Sequence, residues 1–345
     1  MTLDDVAKRA RVSTATVSRV LNDAPGVRPT TRARVLRAVE ALNYTPNLNA
    51  RALAGGSPRT LGMIVSNIAN PFFLDIFRCV EAVARQRGYD VIVTNTDYAQ
   101  DRLASGINTI LGRRVAGLAL VVSETVPDMV GALAAKLPVV LYDGGAHQLQ
   151  HVANIRANYR GGMQRIVEYL YALGHRRMAF IGHHTSLGPL HERREAFLAV
   201  AEEYAPRVKV RTVASADGMA GGQMAMRQLL ASGFRPTAVA CVNDLMAVGA
   251  LRELHAHGIS VPGDVSVTGF DNVALAEFVT PALTTADVPR GEIGRLICDA
   301  LIPESGEVLA PGRELVVETQ LIVRDSTARP AVTSRRLSTG ASSRG

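Results

Sequence analysis

The 345-residue sequence predicts two architectures in one chain: a small N-terminal all-α domain of helix-turn-helix type, and an α/β core of two doubly wound parallel-sheet lobes. Three observations predict this. Two short capped amphipathic helices, joined by a tight turn, lie within the first 22 residues. Charge is unevenly spread: residues 1–60 hold ten Lys/Arg against four acids, a net +6, while 61–325 carry −3 and 326–345 carry +4. From Thr60 onward, short apolar runs alternate with helical periodicity, the pattern of a parallel sheet covered on both faces.

The first helix starts at Thr2, a good N-cap, with Asp4 and Asp5 in its first turn and Lys8 and Arg9 in its last. Leu3, Val6, Ala7 and Ala10 form its inner stripe. Ser13 caps the second helix, where Val17, Val20 and Leu21 recur at i, i+3, i+4. Its other face carries Thr14, Ala15, Ser18, Arg19 and Asn22, small, polar or cationic, suited to close approach to a polar anion. In a helix-turn-helix this second helix enters the DNA major groove. An ordinary helical hairpin is the alternative for this stretch alone. After the turn-rich 23–27, a third helix begins at Arg28-Pro29, with Val35, Leu36, Val39 and Leu42 inside and Arg32, Arg34 and Arg37 largely outside. Pro46 then opens a segment of about two turns, too short to be stable alone in water.

Val12 to Asn22, with Asp5-Val6-Ala7 before and Asn43-Tyr44-Thr45-Pro46-Asn47 after, resembles the headpiece of the LacI/GalR family of bacterial transcription regulators. The resemblance runs on to about Arg324-Asp325-Ser326-Thr327. It implies a hinge helix at 46–59 that folds at the minor groove when two copies pair, with Leu53 as the wedge at the central base step; a plain linker with one incidental leucine is the alternative. Ala54 departs from the basic residue many members carry there. The DNA-contacting residues so implied are Thr14, Ala15, Thr16, Ser18, Arg19, Asn22, Tyr44, Asn47, Arg51 and Leu53.

In the core, strands are expected at 61–65, 90–94, 117–122 and 138–142, with helices at 72–87, 103–113 and 129–136. A second unit has helices at 161–173, 192–204, 221–231 and 244–257, and strands at 177–181, 208–213, 238–242 and 265–269. A helix at 289–301 returns to the first unit and a final strand at 315–323 crosses again. Two such lobes resemble periplasmic sugar-binding proteins, which open and close about a cleft. The domains are therefore expected as a headpiece at 1–45, a hinge at 46–59, one lobe from 60–156 with 288–318, and the other from 157–287 with 319–327. Ser326 onward, rich in Ser, Thr and Arg, reads as a disordered tail, with the boundary placed at 328.

Ligands of open α/β sheets bind beyond the carboxyl ends of the strands. The residues just after each strand include Asn67 to Phe73, Asp143, His183-His184, Asn243-Asp244 and Phe270-Asp271-Asn272, with Arg193 further on. Carboxylates, amides, an Arg fork and an aromatic face suit a small polyol or sugar. The family resemblance assigns Arg193, Asn243 and Asp271 to the effector, Phe72 or Phe73 to stacking, and Asp143 as a weaker carry-over. Each has a structural alternative: Asn243 as a helix cap, one of Phe72 and Phe73 as core, Asp271 at a turn. Asp217 stands near where some sugar-responsive members carry an aromatic, and Ala157 where an Asp often precedes Asn158.

Adjacent His183-His184 chelate poorly, and Cys79, Cys241 and Cys298 lie far apart without a CxxC, as reduced thiols do. No metal or cofactor is expected. GxGxxG after the first strand, P-loop and GxSxG are absent, which argues against an enzyme. No apolar run reaches a membrane span and the chain opens on Thr2-Leu3-Asp4-Asp5, so a cytoplasmic protein is expected. The expected function is a homodimeric repressor that binds a pseudopalindromic double-stranded operator under control of a small, carbohydrate-type effector. The competing reading is a small-molecule binding protein with no direct DNA role.

Overall fold

The computed structural model describes residues 1–21, 25–44, 58–124, 127–143, 152–184, 188–302 and 314–331. Thr2 caps α1 (Leu3–Ala10) reciprocally: the Asp5 amide donates to its hydroxyl, and the Asp5 carboxylate accepts from the Thr2 amide at 2.8 Å. This capping box satisfies two otherwise orphaned N–H groups. Ser13 caps α2 (Thr14–Leu21), accepting from the Thr16 amide at 3.2 Å. Pro29 opens α3 (Pro29–Ala41), where its missing N–H costs nothing. The three helices enclose a small core of Val6, Ala7, Ala10, Val17, Val20, Val35 and Ala38. One inner position differs from the sequence reading: Leu36 is 49% exposed, and Ala38 faces inward instead. Val35, Ala38 and Leu42 lie at i, i+3, i+7, so the inner stripe of α3 passes beside Leu36.

The first lobe is a six-stranded sheet in the order β11-β5-β4-β3-β1-β2, parallel throughout. Its strands are β1 (Thr60–Val65), β2 (Asp90–Asn95), β3 (Gly117–Val121), β4 (Val139–Tyr142), β5 (Ala153–Ala157) and β11 (Glu314–Val317). Helices α4 (Pro71–Gln86), α5 (Gln100–Leu111) and α6 (Pro127–Ala134) connect them. The second lobe repeats the design in the order β12-β10-β9-β8-β6-β7. It contains β6 (Arg177–His183), β7 (Lys209–Ser215), β8 (Ala238–Cys241), β9 (Ser266–Asp271), β10 (Thr284–Asp287) and β12 (Gln320–Ile322), with β12 alone antiparallel. Its helices are α7 (Tyr159–Leu173), α8 (Gly188–Glu203), α9 (Gly218–Ala231), α10 (Asp244–Ala256) and the short α11 (Leu275–Phe278). Gly222 and Gly249 let α9 and α10 touch backbone to backbone: a methyl at either would collide with the carbonyl of Met246 or Met219.

Three strand assignments go beyond the sequence pattern. The strand expected at 315–323 is two strands, β11 and β12, in different sheets, divided at Glu318-Thr319. β5 is hidden in the sequence because Asn154 and Arg156 interrupt its apolar run; both donate to Glu314 of β11 at 3.3 Å. β10 is hidden because its threonines look polar. Thr284 and Thr285 are fully buried and satisfied, Thr285 by donating to Asp244 at 2.6 Å.

The chain passes between lobes after β5, after β10 and after β11. The first and third crossings are tied together: the Asn158 amide donates to the Val317 carbonyl at 2.9 Å, and the Thr319 hydroxyl to the Asn158 carbonyl at 3.1 Å. After the second, α12 (Arg290–Leu301) packs on α4, with Gly294 against Cys79 and Arg87 paired to Asp299 at 2.6 Å.

The expected tail begins too early. Ser326 is fully buried and its hydroxyl donates to the Val267 carbonyl at 2.6 Å. The Ala328 carbonyl accepts from Ser266 at 3.1 Å and lies 2.9 Å from Nε2 of buried His175. Few apolar residues mark 326–328, yet their polar groups complete the edge of the second lobe. Residues 332–345 lie outside the described residues.

Candidate functional site

A narrow cavity of about 30 Å³, partly open to solvent, lies where the carboxyl ends of the two sheets face each other. Every effector residue expected from the sequence lines it: Phe72, Phe73 and Asp143 from the first lobe, Arg193, Asn243 and Asp271 from the second.

Arg193 projects from α8 and is 3% exposed. Its Nη1 donates to the Val242 carbonyl at 2.9 Å, and its Nη2 lies 2.9 Å from Asp271 Oδ1. The guanidinium lies against the rings of both Tyr159 and Phe270, 4.4 and 4.3 Å from their centroids, the two rings themselves in contact at 5.8 Å. Such stacking suits a planar, weakly hydrated cation. Burial works against its charge, but Asp271 beside it holds the group above the ordinary range. One buried atom of this pair, Arg193 Nε, has no hydrogen-bond partner among the described residues. Unpartnered buried polar atoms are costly unless something completes them.

Asp271 ends β9 with φ 109°, followed by Asn272 at φ 54°. Both angles are in the left-handed region that favours glycine. Arg290 secures this turn, donating to the Asp271 carbonyl and, at 2.8 Å, to the Asn272 carbonyl. Burial pushes the Asp271 carboxyl up to about 6, against the pull of Arg193 and Arg290. Asp143 follows β4 with φ 58°. Both its oxygens are engaged, one by the Ala157 amide at 3.1 Å and the other by the Tyr159 hydroxyl, and burial raises it to about 7. Phe72 is a core residue as well as a cavity wall, meeting Phe73 edge-on at 5.5 Å.

Asn243 is the N-cap of α10: its Oδ1 accepts from the Met246 amide at 2.8 Å, while its Nδ2 donates to Asp217 at 2.8 Å. The helix cap and the cavity wall are thus one residue. Asp244 lies deeper, and burial, with Asp271 nearby, raises it to about 8. His183 and His184 stack on each other at 4.3 Å, and His184 Nδ1 lies 2.9 Å from the Ser215 carbonyl.

Sequence reasoning missed Tyr98, Tyr142 and Tyr159 in the cavity wall. Tyr142 ends β4 one residue before Asp143, which was a usable signal. Tyr98 follows β2, and Tyr159 opens α7 after the unread β5.

On the headpiece, Thr14, Ala15 and Arg19 are exposed on α2, while Thr16 and Ser18 are half-buried. Tyr44 is half-buried against the three-helix core. Asn22, Asn47, Arg51 and Leu53, and with them the expected hinge helix, lie outside the described residues.

Two families match the chain: "Bacterial regulatory proteins, lacI family" over residues 2–47, and "Periplasmic binding protein-like domain" over 167–327. The transcriptional regulator GalR of Salmonella typhimurium is 33% identical over 96% of this chain and 97% of its own length. The ribose operon repressor of Escherichia coli is 34% identical over 87% of this chain and 92% of its own. Among solved structures, the lac repressor dimer bound to operator and the anti-inducer ONPF superposes with a TM-score of 0.83 at 28% identity, covering 95% of this chain and 99% of that one. A LacI family regulator from Enterococcus faecium with bound ribose gives a TM-score of 0.67 at 25% identity, over 78% of this chain and 99% of that one. With a capped helix-turn-helix pair, a two-lobed α/β core and relatives of this similarity along nearly its whole length, the chain belongs to the LacI family of bacterial regulatory proteins.

Proposed function

We propose that this chain is a homodimeric transcriptional repressor whose hold on operator DNA is set by a small carbohydrate-type ligand in the cleft between its lobes. One observation carries the ligand half: Arg193 and Asp271, buried at 3% and 2% exposure and paired at 2.9 Å, line a cavity between lobes while Arg193 Nε lacks a hydrogen-bond partner among the described residues. A donor beside an acceptor matches a hydroxyl, which does both. Phe72 and Phe73 supply apolar ring surface, Asn243 an amide, and Asp143 the wall behind Tyr159. Repressor relatives named for ribose support the class of ligand.

For DNA, Thr14, Ala15 and Arg19 present the exposed face of α2 to base edges, with Thr16 and Ser18 beside them. Arg19 favours guanine through O6 and N7, and the methyls of Thr14 and Ala15 favour thymine. Asn22, Tyr44, Asn47 and Arg51 complete the DNA contacts, and Leu53 is the wedge at the central step. Ligand binding shifts the balance only through unequal affinity for the two lobe arrangements.

Selection of bound sequences from a random duplex pool at near-physiological salt tests the DNA reading. The expected product is a pseudopalindrome with a CG-like centre, and Arg19→Ala loses preference at one position in each half-site. An Arg19→Ala protein with an unchanged site would refute base reading by this residue.

A further inference from the structure

Asp217 is the N-cap of α9 in the second lobe, but half of its carboxylate faces the first. Oδ1 accepts from the Gly218 amide and from Asn243 Nδ2, both at 2.8 Å. Oδ2 accepts from the Tyr98 hydroxyl at 2.9 Å and from Asn67 Nδ2 at 3.1 Å. Four donors fill the roughly four acceptor sites of a carboxylate. Two donors come from each lobe. Tyr98 also lies against His183 of the second lobe, the ring centroids 5.6 Å apart.

Tyr98 and Asn243 line the cavity from opposite lobes, and Asp217 stands behind both. We infer that Asp217 is a positioning residue of the effector cleft: by holding the Tyr98 hydroxyl and the Asn243 amide on one carboxylate, it joins the lobes at that end and sets the width a ligand meets. This rests on the reading of the cleft as the effector site. Every atom of the joint belongs to the chain, so it forms without a bound molecule. It therefore contributes to lobe closure before any ligand does, and lowers what the ligand must supply to close the cleft.

The capping and joining roles separate by substitution. Asp217→Asn keeps an oxygen for the Gly218 amide, and asparagine is as good an N-cap as aspartate. Its amide nitrogen, however, cannot accept from Asn67 and can meet Tyr98 only as a donor to the hydroxyl oxygen, so the joint loses the Asn67 bond and the charge on its acceptor. Tyr98→Phe removes one lobe-spanning bond from the other side and leaves α9 untouched.

Hydrogen exchange on the full chain without added ligand tests the joint. Both variants are expected to speed exchange about tenfold in 66–70 and 96–99 of the first lobe and in 241–244 of the second, with the first turn of α9 still protected in Asp217→Asn. Unchanged exchange in both variants would overturn the inference. So would a change confined to 215–222, which would leave Asp217 a helix cap and nothing more. Titration of the wild-type chain with D-ribose and with cellobiose, read by thermal shift, addresses the ligand separately. Failure of both sugars to bind removes support for the carbohydrate reading, while the exchange result still decides the joint.

Discussion

The headpiece and the two-lobed core solve opposite problems. The headpiece buries only small aliphatic side chains, Val6, Ala7, Ala10, Val17, Val20, Val35 and Ala38, and leaves Thr14, Ala15 and Arg19 in solvent. The core buries its polar chemistry: Arg193, Asp271, Asp143 and Asp244 are all less than 5% exposed. A surface that meets a long polyanion works through exposed donors and charge. A cleft that discriminates a small molecule needs fixed, desolvated groups, each held by further residues. Substitutions in the two regions should therefore fail in different ways.

The largest contrast is between two arginines. Arg193→Ala leaves the Asp271 carboxylate buried without its cation, and removing one partner of a buried pair costs about 3–5 kcal/mol. A large fall in the unfolding midpoint of the core, measured in denaturant, is expected. Arg19→Ala, on an exposed face, should leave the midpoint where it was while changing operator preference. A mild Arg193→Ala would mean that the pair relaxes into the cavity, and the contrast between regions would weaken.

A smaller effect follows from the buried carboxyls. Asp271, Asp143 and Asp244 sit at about 6, about 7 and about 8, against an ordinary 3.8, chiefly through burial. A carboxyl raised on folding binds its proton more tightly in the native state. The stability it adds is complete below about pH 4 and is lost as pH rises through the folded value. Thermal midpoints of the core should decline from about pH 4 to about pH 8, and Asp244→Asn should flatten the upper part of that decline. A midpoint rising with pH over this window would contradict the burial argument. Among the described residues of the headpiece no carboxyl is buried.

The smallest effect sharpens the headpiece side. Leu36 is 49% exposed on α3, so Leu36→Lys should change stability by no more than about 0.5 kcal/mol. The same change at Val35, which is fully buried, should unfold the headpiece. Circular dichroism melts of both variants distinguish them.

Legibility in the sequence tracked this division. Ser13, Thr2 and the Val17-Val20 stripe work through neighbours within a few residues, and each stands in the structure where its pattern placed it. Leu36 did not, because Leu36 and Ala38, on either side of Arg37, both fit the helical period beside Val35 and Val39, and only the packed helices chose Ala38. In the core, apolar runs announced most strands. β5 and β10 stayed hidden because their polar side chains are satisfied by residues 160 and 41 positions away, Glu314 for Asn154 and Asp244 for Thr285.

By itself the sequence determined the order of architectures, the basic face of the headpiece and the set of side chains gathered at the strand ends, since local periodicity, capping chemistry and charge are properties of neighbouring residues. Only the tertiary structure decided how those side chains divide their work. In the sequence Asp217 stands out only as a departure from the aromatic that some sugar-responsive members carry there, yet its second oxygen accepts from residues 119 and 150 positions away. Arg193 and Asp271 become a buried pair only when α8 and the end of β9 are packed together beneath Tyr159. Hydrogen bonds and desolvation depend on what folding brings near, and distance along the chain carries no record of it.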